Sequence, residues 1–315
     1  MTTRVLAIVG SDRSGSTLLD NMLGGIPGAF SAGEIRYMWE RGFANGRLCG
    51  CGQKIVECEV WSQVIALLPP ETRDVDRMLG DLDLLRTRHA FSQDIPGYGG
   101  RYRADLEGLA ARIQPLYSSL AGVSGAEVIV DSSKRPTWVR MLTVMPDIDL
   151  TIVHLVRDPR AVAHSRKRYK RQLDSEEVRG MPQHRPATSA SFWTVWNLAA
   201  ERLSDDAPYY RLRYEDLLAD PVGRVDEIRA LVGLPQPRPG LTSTSVDLEP
   251  SHTVSGNPAR FTTGTVPLSL DDAWRRDQPT RDRLVVDLLT LPVARRYGYG
   301  SLRESTNATG SSPAA

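Results

Sequence analysis

The sequence predicts an α/β fold: a P-loop-type parallel sheet flanked by helices, in a single domain with an inserted loop-rich region. Three observations carry this reading. Apolar, strand-like runs alternate with helical patterns, as in a parallel sheet with crossover helices. A glycine-bracketed loop follows the first run and leads straight into an apolar helix. Pro and Gly clusters at 95–100, 180–186 and 235–239 mark loops rather than a domain boundary, and no internal repeat is present.

Strands are predicted at 4–9, 127–130, 150–156 and 209–213. Helices are predicted at 16–23, 136–144, 159–170 and 222–232, with longer ones at 103–121 and 189–204 packing on the sheet faces. The domain is expected to span 1–300, with 41–103 as an inserted, partly mobile acceptor-side region. The small, polar end at 301–315 reads as a disordered tail.

Composition narrows the function classes. A hydrophobic fraction of 41% over 315 residues is enough to bury a substantial core. A net charge of +1 gives no global field for nucleic acid or an anionic membrane. Arg outnumbers Lys 35 to 4, so a Lys at a chemically telling position is informative. The longest early apolar stretch, Val5 to Val9, is far too short for a leader or a membrane span, and a cytoplasmic protein is expected.

The most informative stretch runs from Val5 to Leu19. It has the order strand, loop, hydroxyl pair, apolar helix. Gly10 and Gly15 enclose four residues, the spacing of a phosphate-binding loop. Backbone N–H groups of such a loop converge on one point, and the helix N-terminus adds partial positive charge. Ser16 and Thr17 can donate to the same oxygens. The Lys that usually follows the second glycine is Ser16 here, and the cation sits earlier, at Arg13. A nucleoside triphosphatase places that Lys on its β- and γ-phosphates, so phosphoryl transfer is disfavoured and a donor with fewer phosphates fits better.

A second anion site follows the apolar run 151–156. Asp158 is a good N-cap, and Pro159 sits where a first helical residue tolerates having no N–H. Arg157 therefore leaves the strand's carboxyl end, where ligands of open α/β sheets bind. Ser165, eight residues on, completes a compact site for a second phosphate.

These segments resemble the sulfotransferase family that uses 3′-phosphoadenosine 5′-phosphosulfate. Arg13-Ser14-Gly15-Ser16-Thr17-Leu18-Leu19 looks like its 5′-phosphosulfate loop. Leu155-Val156-Arg157-Asp158-Pro159-Arg160 through Ser165 looks like its 3′-phosphate site. Leu212-Arg213-Tyr214-Glu215-Asp216-Leu217-Leu218 is similar to the segment whose Tyr lies against adenine. His252 to Phe261, including Asn257 and Arg260, resembles the late loop that closes over the nucleotide. The resemblance covers about residues 4 to 262. It implies a parallel sheet with flanking helices, 3′-phosphoadenosine 5′-phosphosulfate as co-substrate, no metal requirement, and a small-molecule acceptor bearing a hydroxyl.

Cytosolic aryl and steroid enzymes of the family carry Lys where this chain has Arg13. Arg there, followed by Pro27 and then a Glu, looks more like the tyrosylprotein branch and its bacterial relatives. That match singles out Glu34 as the counterpart of their general base; the peptide substrate is not carried over. On residues alone, Glu34 reads almost as well as an N-cap or first-turn residue of a helix over 35–41. Lys134, after the strand at 127–130, resembles the lysine that bridges donor and acceptor. Asp131 reads as structural rather than as a magnesium-holding Asp, and His252 is a reserve base.

Cys49, Cys51 and Cys58 fall one short of a structural zinc set, and a fourth ligand such as His89 has to come from afar. Free thiols are the expectation, and a Cys51–Cys58 disulfide is disfavoured in a reducing compartment. The seven cations between Arg157 and Arg171 read as a solvated helix face, because only Tyr169 interleaves them as a nucleic-acid site requires. Tyr37, Trp39, Trp61, Phe91 and Tyr98 are candidates to line an acceptor pocket for an aromatic, lipid or sugar. A P-loop kinase with Arg13 in place of its Lys, and a non-catalytic nucleotide-binding module, remain the competing readings.

Overall fold

The computed structural model describes residues 2–175 and 180–300; the expected tail at 301–315 lies outside them. Five parallel strands form the central sheet: β1 (Thr3–Val9), β2 (Ala29–Gly33), β3 (Val128–Lys134), β4 (Ile148–Val156) and β5 (Tyr209–Arg213). Their order is β2-β3-β1-β4-β5.

Both faces of the sheet are covered, and the period of two along β1 shows why. Val5, Ala7 and Val9 enter one core with Ile113, Leu116, Tyr117 and Leu120 of the helix Gly99–Ser124. Leu6 and Ile8 enter another with Leu19, Met22 and Leu23 of the helix Ser16–Gly24 and with Val225 and Ile228 of the helix Pro221–Leu231. Truncating a side chain such as Ile8 to Ala costs about 2–5 kcal/mol at such a site.

All four predicted strands are present, but β3 runs four residues past its expected end. Asp131, Ser132 and Ser133 read as a loop in sequence. They continue the strand because the buried Asp131 carboxylate accepts hydrogen bonds from Tyr117 Oη (2.6 Å), Trp138 Nε1 (2.7 Å) and Ser133 N (2.8 Å). Asp131 is thus a core group, as expected. β2 escaped prediction because Phe30 is its only large apolar residue. The helix expected over 159–170 stops at Lys167, since Lys170 O accepts from Met181 N (2.8 Å) and Arg171 bridges Gly180.

The segment 41–103 is more helical than the expected loop-rich insertion, with helices at Glu59–Leu67, Pro70–Arg73 and Val75–Asp81. Its Trp61, Val64, Met78 and Leu85 are part of the main core. Also unpredicted are an antiparallel pair, β6 (Ser245–Leu248) with β7 (Gly264–Pro267), and the helix Thr280–Arg296, which packs on the helix Pro186–Glu201. No helix among the described residues is long and apolar enough to cross a membrane.

Parallel pairing places the carboxyl ends of β1, β3, β4 and β5 along one edge. Lys134 is the last residue of β3, and the loop after β1, Arg157 and Tyr214 follow their strands directly.

Candidate active site

A cavity of about 750 Å³ opens at that edge. Gly10 N donates to Lys134 O (3.1 Å), which ties the glycine loop to the end of β3. Gly15 caps the helix Ser16–Gly24 at φ 96°, and a Cβ there would lie 2.3 Å from the Tyr214 ring. Glycine is required twice over, by backbone angle and by the aromatic wall. Among the described residues only two non-glycines have positive φ, Arg13 and Lys134, both at 67°. Both line the cavity, and strain of this kind gathers at functional sites.

Arg13 is a cation in want of an anion. Among the described residues its Nη2 reaches only Met181 Sδ (3.2 Å), and its buried Nη1 has no hydrogen-bond partner. Burial lowers its pKa, because no full counter-charge replaces the lost water. Arg157 lies beside it: Nη1 donates to Arg13 O (3.3 Å), Nη2 donates to Asp271 O (3.1 Å), and the buried Nε is unpartnered. The guanidinium carbon sits 4.6 Å from the Tyr214 ring centre. Ser165, buried on the helix Pro159–Lys167, faces the same cavity. Local sequence sets this up as expected: Asp158 accepts from Arg160 N (2.8 Å) and Pro159 takes the first helical position.

Glu34 stands at the end of β2, anchored by its N–H to Ser255 O (3.2 Å). It precedes the short 3₁₀ helix Ile35–Tyr37, yet its side chain makes no capping bond. Instead Lys134 Nζ donates to Glu34 Oε1, and Arg41 Nη1 lies 3.6 Å from Oε2.

Asp12, which the sequence reading passed over, is the hub behind them. Arg166 Nη2 donates to it at 2.6 Å, with Arg135 at 3.8 Å and Lys134 at 3.9 Å. Burial pushes its pKa up, but Arg135, Lys134 and Arg166 outweigh burial and hold it below the ordinary carboxylate range. Asp12 therefore stays charged and orients three cations. A carboxylate inside an anion loop is itself a signal, since it needs cations from elsewhere. The run from 157 to 171, read as a solvated face, supplies Arg157, Arg166 and Lys170 to the cavity wall. In all, ten Lys and Arg face three carboxylates around the cavity, so the cavity is strongly cationic although the whole chain is near neutral.

The Sulfotransferase family model matches residues 6–238. This chain belongs to the sulfotransferase family. Carbohydrate sulfotransferase 3 of Homo sapiens is 28% identical over 188 residues, 55% of this chain and 38% of that protein. Carbohydrate sulfotransferase 5 of Mus musculus is 32% identical over 177 residues, 50% of this chain and 43% of that protein. The matches span about two fifths of these relatives' length. The sulfotransferase domain from the curacin biosynthetic pathway shares the fold, with a TM-score of 0.56 at 18% identity, covering 95% of this chain and 98% of that domain.

The fold brings most of the expected site together. Arg13, Gly15, Ser16, Thr17, Glu34 and Lys134 line the cavity, and so do Arg157, Ser165, Tyr214 and Asn257. Ser14 does not, for it is buried. Arg260 does not either. Its guanidinium is spent on Thr253 O (2.6 Å) and Leu48 O (2.5 Å), so Gly256, Asn257 and Ala259 front the cavity instead. His252 is withdrawn as a base, because it sits against Cys58 Sγ (3.2 Å) outside the cavity.

Of the five expected pocket aromatics only Tyr37 lines the cavity. Trp39 and Trp61 are fully buried in the core, Phe91 lies under Arg202, and Tyr98 stacks on Tyr102. Phe192 and Trp196 take their place, with Arg135 stacked on the Trp196 ring at 3.8 Å. Their four-residue spacing on the helix Pro186–Glu201 was the available signal.

Proposed function

We infer that this sulfotransferase moves a sulfuryl group from 3′-phosphoadenosine 5′-phosphosulfate to a hydroxyl of a small-molecule or carbohydrate acceptor, with Glu34 as general base. The observation that carries the reading is the Glu34–Lys134 pair, opening on one cavity between the Arg13 loop and the aromatic wall of Tyr37, Phe192 and Trp196. The donor fits the residues present: Arg13 Nη1 and Arg157 Nε are buried donors without acceptors, and the bare Gly15 lets Tyr214 close against the loop. The loop would hold the 5′-phosphosulfate, Arg157 and Ser165 the 3′-phosphate, and Tyr214 the adenine.

In the transfer, Glu34 takes the proton of the acceptor hydroxyl as the oxygen bonds to sulfur. The bond from sulfur to the phosphate oxygen breaks on the opposite side, and the electron pair leaves with the bisphosphate. Arg13, the loop N–H groups and Thr17 face the charge that grows there, an electrostatic contribution fixed in advance by the fold. Lys134 links the two events. While Glu34 is charged, the ammonium is held by it; once Glu34 is protonated, the ammonium is released toward the leaving oxygen.

Two relatives named as carbohydrate sulfotransferases support a sugar hydroxyl as acceptor. Arg36 and Arg88 on the acceptor side favour one that carries negative charge. The test is a screen of hydroxylated acceptors with sulfur-labelled donor. Label should pass to an acceptor and the bisphosphate should form in equal amount. Donor hydrolysis alone, or transfer of phosphate from ATP, would contradict the reading.

A further inference from the structure

The three cysteines find their fourth partner in the late loop. One ligand atom from each of Cys49, Cys51, Cys58 and His252 falls within a cluster whose members all lie within 4.8 Å of one another. A tetrahedral centre with metal–sulfur bonds of about 2.3 Å sets its ligand atoms roughly 3.8 Å apart, so little movement closes the set. We propose that Cys49, Cys51, Cys58 and His252 bind one zinc ion. Three thiolates and an imidazole, with no place left open, suit zinc in a structural role. The thiol protons leave to solvent as the metal binds.

The local fold is built for this. Leu48 bridges Lys54 in an antiparallel turn, Cys49 N donates to Gln53 O (2.7 Å) and Gly52 N donates to Cys49 O (2.9 Å), so Cys49 and Cys51 project from one tight knuckle. Gly52 closes it at φ 86°. Gly50, between the two cysteines, donates to Thr253 O (2.9 Å), and a Cβ there would lie 2.6 Å from Ser251 O. Only glycine lets the late loop approach. Cys58 is the N-cap of the helix Glu59–Leu67, and its sulfur sits at the positive end of that helix, 3.2 Å from His252 Nδ1.

His252 is oriented as a ligand. Its Nδ1 is 3.2 Å from Cys58 Sγ, its Nε2 is 3.4 Å from Glu59 Oε1, and Trp61 Nε1 donates to its carbonyl (2.5 Å). A carboxylate on the far ring nitrogen fixes the tautomer that leaves Nδ1 for the metal. The zinc would join the core segment 49–58 to the loop that lays Gly256 and Asn257 along the cavity. Arg260 makes the same connection, from Leu48 O to Thr253 O.

The test uses the full chain, reduced and dialysed against zinc, with metal content and cobalt substitution as readouts. One zinc per chain is expected, with cobalt giving the intense visible absorption of a tetrahedral, sulfur-rich site. The Cys58→Ser chain should lose both. Glu59 is exposed, so Glu59→Gln should fold normally while binding zinc roughly 10–100-fold more weakly. Chelation should raise hydrogen exchange at residues 251–258 with the sheet still protected. A reduced chain that takes up neither metal overturns the proposal. So does uptake that is unchanged when Cys58→Ser and His252→Gln are combined.

Discussion

Lys134 Nζ donates to Glu34 Oε1 across 100 residues of sequence, and the two side chains keep only 9% and 7% of their exposure. A buried ion pair of this kind is more costly to break than it is worth intact. Removing one partner typically costs about 3–5 kcal/mol, because the other is left buried and uncompensated. Lys134→Ala should therefore lose stability in that range and also lose transfer, since Arg41 stands 3.6 Å from Glu34 and does not replace the bonded ammonium. Lys134→Arg keeps the charge and should recover stability more than turnover. Denaturation curves and single-turnover rates on both variants check this; normal turnover in Lys134→Ala would free the lysine from any part in the chemistry.

Arg157 should discriminate between nucleotides. A charge-assisted hydrogen bond is worth about 1.5–3 kcal/mol, so Arg157→Ala should weaken 3′-phosphoadenosine 5′-phosphate by about one to two decades. Adenosine 5′-monophosphate should bind almost as before. Calorimetry with both ligands decides it, and an equal loss for the two would remove the assignment.

Arg13 should matter most as the leaving oxygen gains charge. Arg13→Lys retains the charge without the planar fork and should keep partial activity. Arg13→Ala should lose most turnover and bind the desulfated nucleotide only somewhat less well. Rates and affinities measured together test the split; wild-type turnover in the alanine variant would place Arg13 outside the chemistry.

Asp20 gives the helix behind the Arg13 loop a pH signature. Burial raises its pKa to about 7, against the opposing influence of the nearby Ser31 and Ser132 hydroxyls. The folded state holds the proton that the unfolded state releases, so this group's stabilisation is complete below about pH 4. It is lost as pH rises through about 7. Asp20→Asn cannot ionise, so relative to wild type it should gain stability over that window, by up to roughly 4 kcal/mol. Melting temperatures between pH 4 and 8 show the effect as a widening gap; a constant gap would contradict it.

What could be read from sequence was what the chain writes contiguously. Gly10 to Thr17 and Arg157 to Ser165 each carry strand end, turn and helix start within a few residues, and those local structures form as expected at the cavity. β2 and the polar end of β3 were not legible, because neighbouring strands and the Tyr117–Trp138 pair create them rather than local propensity. The site's long-range parts were hidden for the same reason. Asp12 gains meaning only from Arg166, and Cys58 only from His252, 194 residues away. Arg260 shows the converse: its motif pointed to the nucleotide, but two backbone carbonyls claim its guanidinium.

Glu34→Gln bears most directly on the account, because it keeps the shape of the side chain and removes only its ability to accept a proton. Asp12 remains 3.9 Å from Lys134 Nζ to balance its charge, so the variant should fold. Single-turnover transfer, donor affinity and melting temperature are to be measured on one preparation. Transfer should fall by roughly 10²–10⁴, the usual loss for a missing general base, while donor affinity holds. Wild-type transfer by the Glu34→Gln chain would contradict the assignment of Glu34 as the base.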